Sequence, residues 1–155
     1  MRHHVVTAAL VCAGVLWSAG AARGLDSSGS AQELNADPAR TVWDGVFTKE
    51  QAGRGRERFM QTCAQCHGED LRGESTAPSL VEESFAFLFD DITVGELVRR
   101  IRTLMPPERP NSLPAQDYSD IVAFLLQSNQ FPFGGTALDA DPDALDKIRI
   151  AKVRP

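Results

Sequence analysis

The sequence predicts an all-α fold, and three features carry that expectation. Two stretches, Thr48-Lys49-Glu50-Gln51 and Thr93-Val94-Gly95-Glu96, have the form of capping boxes, with a hydroxyl at the N-cap and a Glu or Gln three residues later. Apolar residues then recur at helical spacing, as with Leu97, Ile101 and Leu104. Prolines punctuate these runs where a helix would have to stop, most clearly at Pro106-Pro107.

Taken in order along the chain, the first 21 residues read as an export signal. Arg2 precedes an uncharged apolar run from Val5 to Trp17, and Ser18-Ala19-Gly20-Ala21-Ala22 offers an Ala-x-Ala cleavage site after Ala21. The run is too short to span a bilayer comfortably, so no stable membrane span is expected once it is removed. Residues 22–41 lack sustained periodicity and read as a flexible leader. A folded domain is expected over 42–134 and a tail over 135–155.

The first helix opens at Thr48 and is expected to run to about Thr62, carrying Gly53 and Gly55 in its interior. Glycine costs roughly 1 kcal/mol there, and close approach of another helix is the natural reason to keep it. A short helix over Glu82–Phe89 follows, then one from Thr93 that ends just past Met105. The last main helix is expected from Pro114 to Gln127, with Tyr118, Ile121, Val122, Leu125 and Leu126 as its apolar face. In the tail, Asp141-Pro142 can cap a short helix. Acidic residues precede basic ones there, an order that suits a helix dipole, and a solvated surface is the expectation for this segment.

Composition narrows the function. The chain has 155 residues, 43% of them hydrophobic and 24% charged, which excludes a membrane bundle and a wholly disordered chain. Sixteen basic residues against 21 acidic ones give a net charge of −5, the wrong sign for a nucleic-acid binder. Signal removal takes away His3, His4 and Cys12. The two cysteines and one histidine left lie within five residues, as Cys63-Ala64-Gln65-Cys66-His67.

A C-x-x-C-H string reads as a covalent haem site. Two thiolates three residues apart reach the two vinyl groups of a porphyrin and form thioethers, and the next residue offers an imidazole to the iron. A zinc ribbon needs a second cysteine pair, which is lacking. A thioredoxin-type pair needs a βαβ setting, and a structural disulfide leaves His67 unexplained. With no second histidine in the mature chain, the sixth iron position falls to a thioether. Met60 lies three residues before Cys63, where helix geometry puts it on the wrong side of the ring; Met105, at a helix end pinned by two prolines, is the expected ligand. A thioether opposite an imidazole favours iron(II) and raises the potential. Phe59, Leu80, Phe85, Phe87, Phe89, Leu97, Ile101, Leu104 and Leu125 are expected to wall the haem as a set. Arg99, Arg100, Arg102 and Arg109 cluster on the Met105 side, where a solvated face is expected for most of them.

These residues resemble the class I, monohaem cytochromes c. Gly55 and Phe59, eight and four residues before Cys63, match positions where that family's first helix crosses its last. Ala77-Pro78-Ser79-Leu80 is similar to the family's Gly-Pro-x-Leu segment, with Ala77 in place of the glycine. The resemblance implies that the Pro78 carbonyl accepts a hydrogen bond from His67 and that Leu80 lies against the ring. Tyr118 through Leu125 resembles the last helix. Residues 41–47, 101–106 and 129–134 further resemble small exported bacterial monohaem cytochromes related to the haem domains of quinoprotein alcohol dehydrogenases. That implies a periplasmic electron carrier that accepts electrons from a dehydrogenase and passes them to an oxidase or another cytochrome. A permanent haem subunit of such a dehydrogenase, and a haem enzyme or gas sensor with an open sixth site, are the competing readings.

Overall fold

The computed structural model describes residues 40–74 and 77–155. The expected signal segment and nearly all of the expected leader lie outside the described residues. Six α-helices are described: α1 (Lys49–Thr62), α2 (Ala64–His67), α3 (Glu82–Phe89), α4 (Val94–Leu104), α5 (Ala115–Ser128) and α6 (Pro142–Leu145). A 3-10 turn spans Val42–Asp44, and two two-residue strands, β1 (Arg40–Thr41) and β2 (Ile148–Arg149), pair in parallel. The all-α class expected from the sequence is the class observed.

The capping expectations are met in part. Thr48 and Thr93 accept hydrogen bonds from the backbone N–H groups of Gln51 and Glu96, at 3.1 and 3.0 Å. The reciprocal half of each box is replaced by a tertiary contact or a pair along the helix: the Gln51 side chain is fully buried elsewhere, and Glu96 pairs with Arg100. Helix α4 ends at Leu104, with Met105 as its C-cap, because Pro106 and Pro107 cannot continue it.

Helices α1 and α5 form the central pair. They cross where Gly55 meets Asp120; a Cβ on Gly55 would lie 1.7 Å from the Asp120 carbonyl oxygen. Gly53 has no such reason, since a Cβ there would meet nothing within 4 Å. One turn on, Phe59 and Phe124 stack at 5.4 Å between ring centroids. The crossing buries Asp120, whose carboxylate accepts from Arg54 Nε (2.7 Å), Gln51 Nε2 (3.0 Å) and Gln116 Nε2 (2.7 Å).

The tail is the main departure from the sequence expectation. Rather than lying solvated, residues 138–152 pack along the body as a strap, with Leu138, Leu145, Ile148 and Ile150 all buried. Backbone bonds join Ile150 N to Ile92 O (2.8 Å) and Asp91 N to Ile150 O (2.9 Å), and Trp43 Nε1 donates to Ala151 O (2.8 Å). Gln51 both donates to and accepts from Leu138. This docking explains why α5 is buried well beyond its predicted face. Ser119, for example, is fully buried and donates to Asp139 O at 2.6 Å. A helix covered on more than one side loses its polar stripe.

Two stability predictions follow from this packing. Gly55→Ala forces α1 and α5 apart against backbone, so urea unfolding is expected to show a loss of about 1–3 kcal/mol or more, the range of overpacked cores. An unchanged midpoint would remove the crossing as a constraint. The second concerns acid. Hydrogen bonds from Arg99 and then Thr93 hold the Asp146 carboxyl below its ordinary range. A depressed folded pKa gives stabilisation that is complete above the unfolded value, roughly 4, and is lost as pH falls through the folded value. Protection of the Ile150 amide against hydrogen exchange is therefore expected to decline in that acid window; protection unchanged across it would contradict the assignment.

Candidate functional site

The Cys-x-x-Cys-His string sits directly on the end of α1. Cys63 is the C-cap of that helix and the N-cap of α2, its N–H bonded to Phe59 O at 2.8 Å. Backbone bonds from Cys66 and His67 N–H to Cys63 O (3.1 and 3.0 Å) wind the string into a single turn. The position of α1 therefore sets the position of all three side chains.

Both cysteines are free thiols, Cys66 exposed and Cys63 half-buried. Burial pushes the Cys63 thiol up from its ordinary pKa, against an opposing hydrogen bond with Thr62. Thr62 Oγ1 lies 3.3 Å from Cys63 Sγ and gives its own proton to Arg58 O at 2.8 Å.

His67 is buried, and its Nδ1 lies 3.1 Å from the Pro78 carbonyl oxygen. A carbonyl can only accept, so Nδ1 is the donor, and in the neutral ring the lone pair is on Nε2. Ring orientation and tautomer are thus fixed by backbone eleven residues away, the arrangement that ligand histidines use. The loop that brings Pro78 back is tied at both ends: Gly73 N donates to His67 O (2.9 Å) and Leu80 N to Leu71 O (2.8 Å). Leu80 itself is buried.

Asn129, at the C-cap of α5, holds this loop; the sequence reading used it only as the start of the 129–134 resemblance. Its Nδ2 donates to Leu80 O (2.9 Å) and Leu125 O (2.8 Å), while its Oδ1 accepts from Glu82 N (2.9 Å). An amide just past the last apolar residue of a helix is a C-cap signal, but nothing local says that it reaches across to residue 80.

Met105 is half-buried at the end of α4, its N–H bonded to Ile101 O at 2.8 Å. The following loop folds back on the helix through Asn111 N to Arg102 O (2.8 Å) and Arg102 Nε to Asn111 Oδ1 (2.5 Å). Met60 packs against the core from α1. Of the nine expected wall residues, Phe59, Leu80, Phe85, Leu97 and Leu125 are buried, and Phe89 and Ile101 are partly buried. Phe87 and Leu104 stand 90% and 59% exposed. Three of the four clustered arginines make protein contacts, Arg99 with Asp143 and Asp146, Arg100 with Glu96, and Arg102 with Asn111, while Arg109 is exposed.

The donor set fits a covalent haem. Two unpaired thiols and an imidazole with a free Nε2 occupy one turn, and the chain adds a thioether and large apolar side chains without polar atoms to satisfy. Among the described residues no group of three His, Cys, Asp or Glu side chains forms an alternative metal cluster, and no helix is long and apolar enough to cross a membrane.

Comparison with one protein family agrees with the chemistry. Residues 50–125 match the family described as cytochrome C oxidase, cbb3-type, subunit III. That stretch runs from the first turn of α1 to Leu125 in α5 and includes the Cys-His turn, Pro78 and Met105. Among solved structures, the chain is similar to the sulfane dehydrogenase SoxCD from Paracoccus pantotrophus. The two are 21% identical with a TM-score of 0.45, over 70% of this chain and 61% of that one. No curated protein sequence matches it.

Proposed function

We propose that this chain, whose residues 50–125 are a cytochrome c domain of the class I, all-α kind, is an exported electron carrier with one haem c. Cys63 and Cys66 would hold the haem covalently, and His67 and Met105 would supply the donors to its iron. The domain makes the chain an electron-transfer haem protein. The finer reading is supported by the 3.1 Å contact between His67 Nδ1 and the Pro78 carbonyl, which leaves Nε2 as the nitrogen available to a metal.

When bound, the haem supplies an iron that exchanges single electrons. Everything else is the work of the chain. Cys63 and Cys66 tether the group, so that it cannot dissociate during turnover. The Pro78 carbonyl raises the basicity of His67 and fixes its plane. Met105 would offer the iron a soft sulfur that favours iron(II), raises the potential and keeps small ligands out. No general base is required and no substrate reaches the metal. An apolar wall including Phe59, Leu80 and Leu97 disfavours the extra charge of iron(III) and acts in the same direction.

The single Cys-x-x-Cys-His string supports one haem per chain, and the leading apolar segment with its Ala-x-Ala site supports a periplasmic location. The acidic balance of the chain favours partners with basic docking surfaces. A periplasmic dehydrogenase as donor, and an oxidase or second cytochrome as acceptor, suit such a carrier.

Visible and near-infrared spectra of protein matured with the haem-attachment machinery test this reading. A far-red sulfur-to-iron(III) band without carbon monoxide binding is the expected result, and an open-site spectrum that shifts with carbon monoxide would reject the carrier. Met105→Ala is expected to abolish that band, lower the potential and admit carbon monoxide; an unchanged spectrum would assign the ligand elsewhere. Cys63→Ser combined with Cys66→Ser is expected to release haem into acidified organic solvent, and a haem that stays with the polypeptide would refute the thioether assignment.

A further inference from the structure

Residues 138–152 lie as a strap across the near half of α4, and we propose that this strap positions the iron's second ligand. By clamping α4 through Arg99 and Asp146 it holds Met105 in place. The proposal rests on the Met105 ligation put forward above.

The attachment is concentrated at one end of α4. Thr93 Oγ1, at the N-cap, donates to Asp146 Oδ1 at 2.9 Å. Arg99 donates through Nη1 to Asp146 Oδ1 (2.9 Å) and through Nη2 to Asp146 Oδ2 (2.5 Å) and Asp143 Oδ1 (2.7 Å). Just before the helix, Arg149 Nη1 donates to the backbone and side-chain oxygens of Asp91, both at 2.7 Å. The backbones also touch: a Cβ on Gly95 would lie 2.2 Å from the Pro142 carbonyl oxygen. An exposed ion pair alone contributes little, but a two-pronged guanidinium shared by two carboxylates fixes direction as well as distance.

At the Met105 end the helix has much weaker support. Val94, Leu97 and Val98 are buried, Ile101 is partly buried and Leu104 is 59% exposed, so core contact fades along α4. Beyond it, the Arg102–Asn111 bonds close the proline loop onto the helix itself, and the loop reaches the core only at its far end, where Leu113 packs against it and donates its N–H to Tyr118 Oη (3.2 Å). Six residues of helix, about 9 Å, separate Arg99 from Met105. A stiff arm held at its base transmits any tilt of that base to its tip. A thioether depends on such support, because the iron–sulfur bond is weak and outer contacts orient the ligand.

The experiment uses the full-length haem-loaded protein. Gly95→Ala is the sharpest variant: alanine favours the helix itself, so damage comes from displacing the strap, whose Pro142 carbonyl oxygen and Asp146 Oδ1 would lie 2.2 and 2.4 Å from the new methyl group. Arg99→Met removes the fork, and Arg99→Lys keeps the charge without it. Arg54→Met, which breaks a pair with Asp120 in the α1–α5 interface, is the control for general loss of stability. All are read at a temperature where circular dichroism shows them folded. Gly95→Ala and Arg99→Met are expected to weaken the far-red band, lower the potential and raise the carbon-monoxide-reactive ferrous fraction roughly tenfold, with Arg99→Lys intermediate and Arg54→Met like wild type. Variants that lose melting temperature while keeping the full band and excluding carbon monoxide would make the strap merely structural and overturn the proposal. An equal effect from Arg54→Met would overturn it as well. Failure of the underlying ligation reading is separable, because wild type would then lack the band and Met105→Ala would change nothing.

Discussion

The contact on which the rest of the structure depends is that of Gly55 with the Asp120 carbonyl, where a single methyl group would overlap backbone. Helices that meet this closely bring everything around the crossing inside, charged groups included. Asp120 is buried for that reason, and an unpaired buried carboxylate is costly, so Arg54, Gln51 and Gln116 converge on it. The same crossing locates the chemistry. Helix α1 ends at Thr62 and the Cys-His turn follows without a spacer, so the angle at which α1 crosses α5 aims Cys63, Cys66 and His67. A shift of the crossing would move the site with it.

The strap answers a different constraint, that of size. A domain of about 90 residues buries a modest fraction of its surface, and a group held at its centre interrupts the core it does have. Leu138, Leu145, Ile148 and Ile150 add a second apolar layer, and Gln51 joins that layer to the crossing by bonding to both Leu138 and Asp120. Trp43 closes the arrangement from the other end of the described chain through Ala151 O, packing edge-on against Phe131 at 4.8 Å.

What could be read in the sequence was whatever is encoded locally. The N-caps at Thr48 and Thr93, the Pro106 stop, the 82–89 helix and the Asp141-Pro142 start are each decided by a few neighbouring residues, and each lies within a residue or two of its expected place. The five-residue Cys-His string carries its chemistry in its spacing. What escaped was long-range. Gln51 looks like a capping residue until the strap and Asp120 claim its side chain, 87 and 69 residues away. Asn129 reaches 49 residues back to Leu80. The tail looks solvated because its charges are conspicuous, yet those charges meet partners on α3, on α4 and between them, while its few aliphatic residues turn inward. Charge patterning reports that a segment is polar on one side and is silent about what the other side touches.

His67 and Met105, proposed here as the two axial ligands, are held by separate devices. His67 is oriented by a loop carbonyl, and that loop is fastened to the end of α5 by Asn129. Met105 closes a helix whose anchorage lies in the strap. The two devices are joined through the α1–α5 pair and Gln51, which ties that pair to Leu138, through the packing of α4 on α5, and through α3, which bonds to Asn129 at Glu82 and to the strap at Glu83. Such a division suits a carrier. One ligand is fixed by short backbone geometry, which keeps the haem edge in a constant orientation for its partners. The other, on the ligation proposed above, would be fixed by a stiff arm whose base lies at the surface, where a change in charge would alter the bond to sulfur without disturbing the covalent attachment. Electron transfer between two oxidation states needs little reorganisation when both ligands stay in place, and a frame built from one tight crossing and one peripheral strap meets that requirement with few residues.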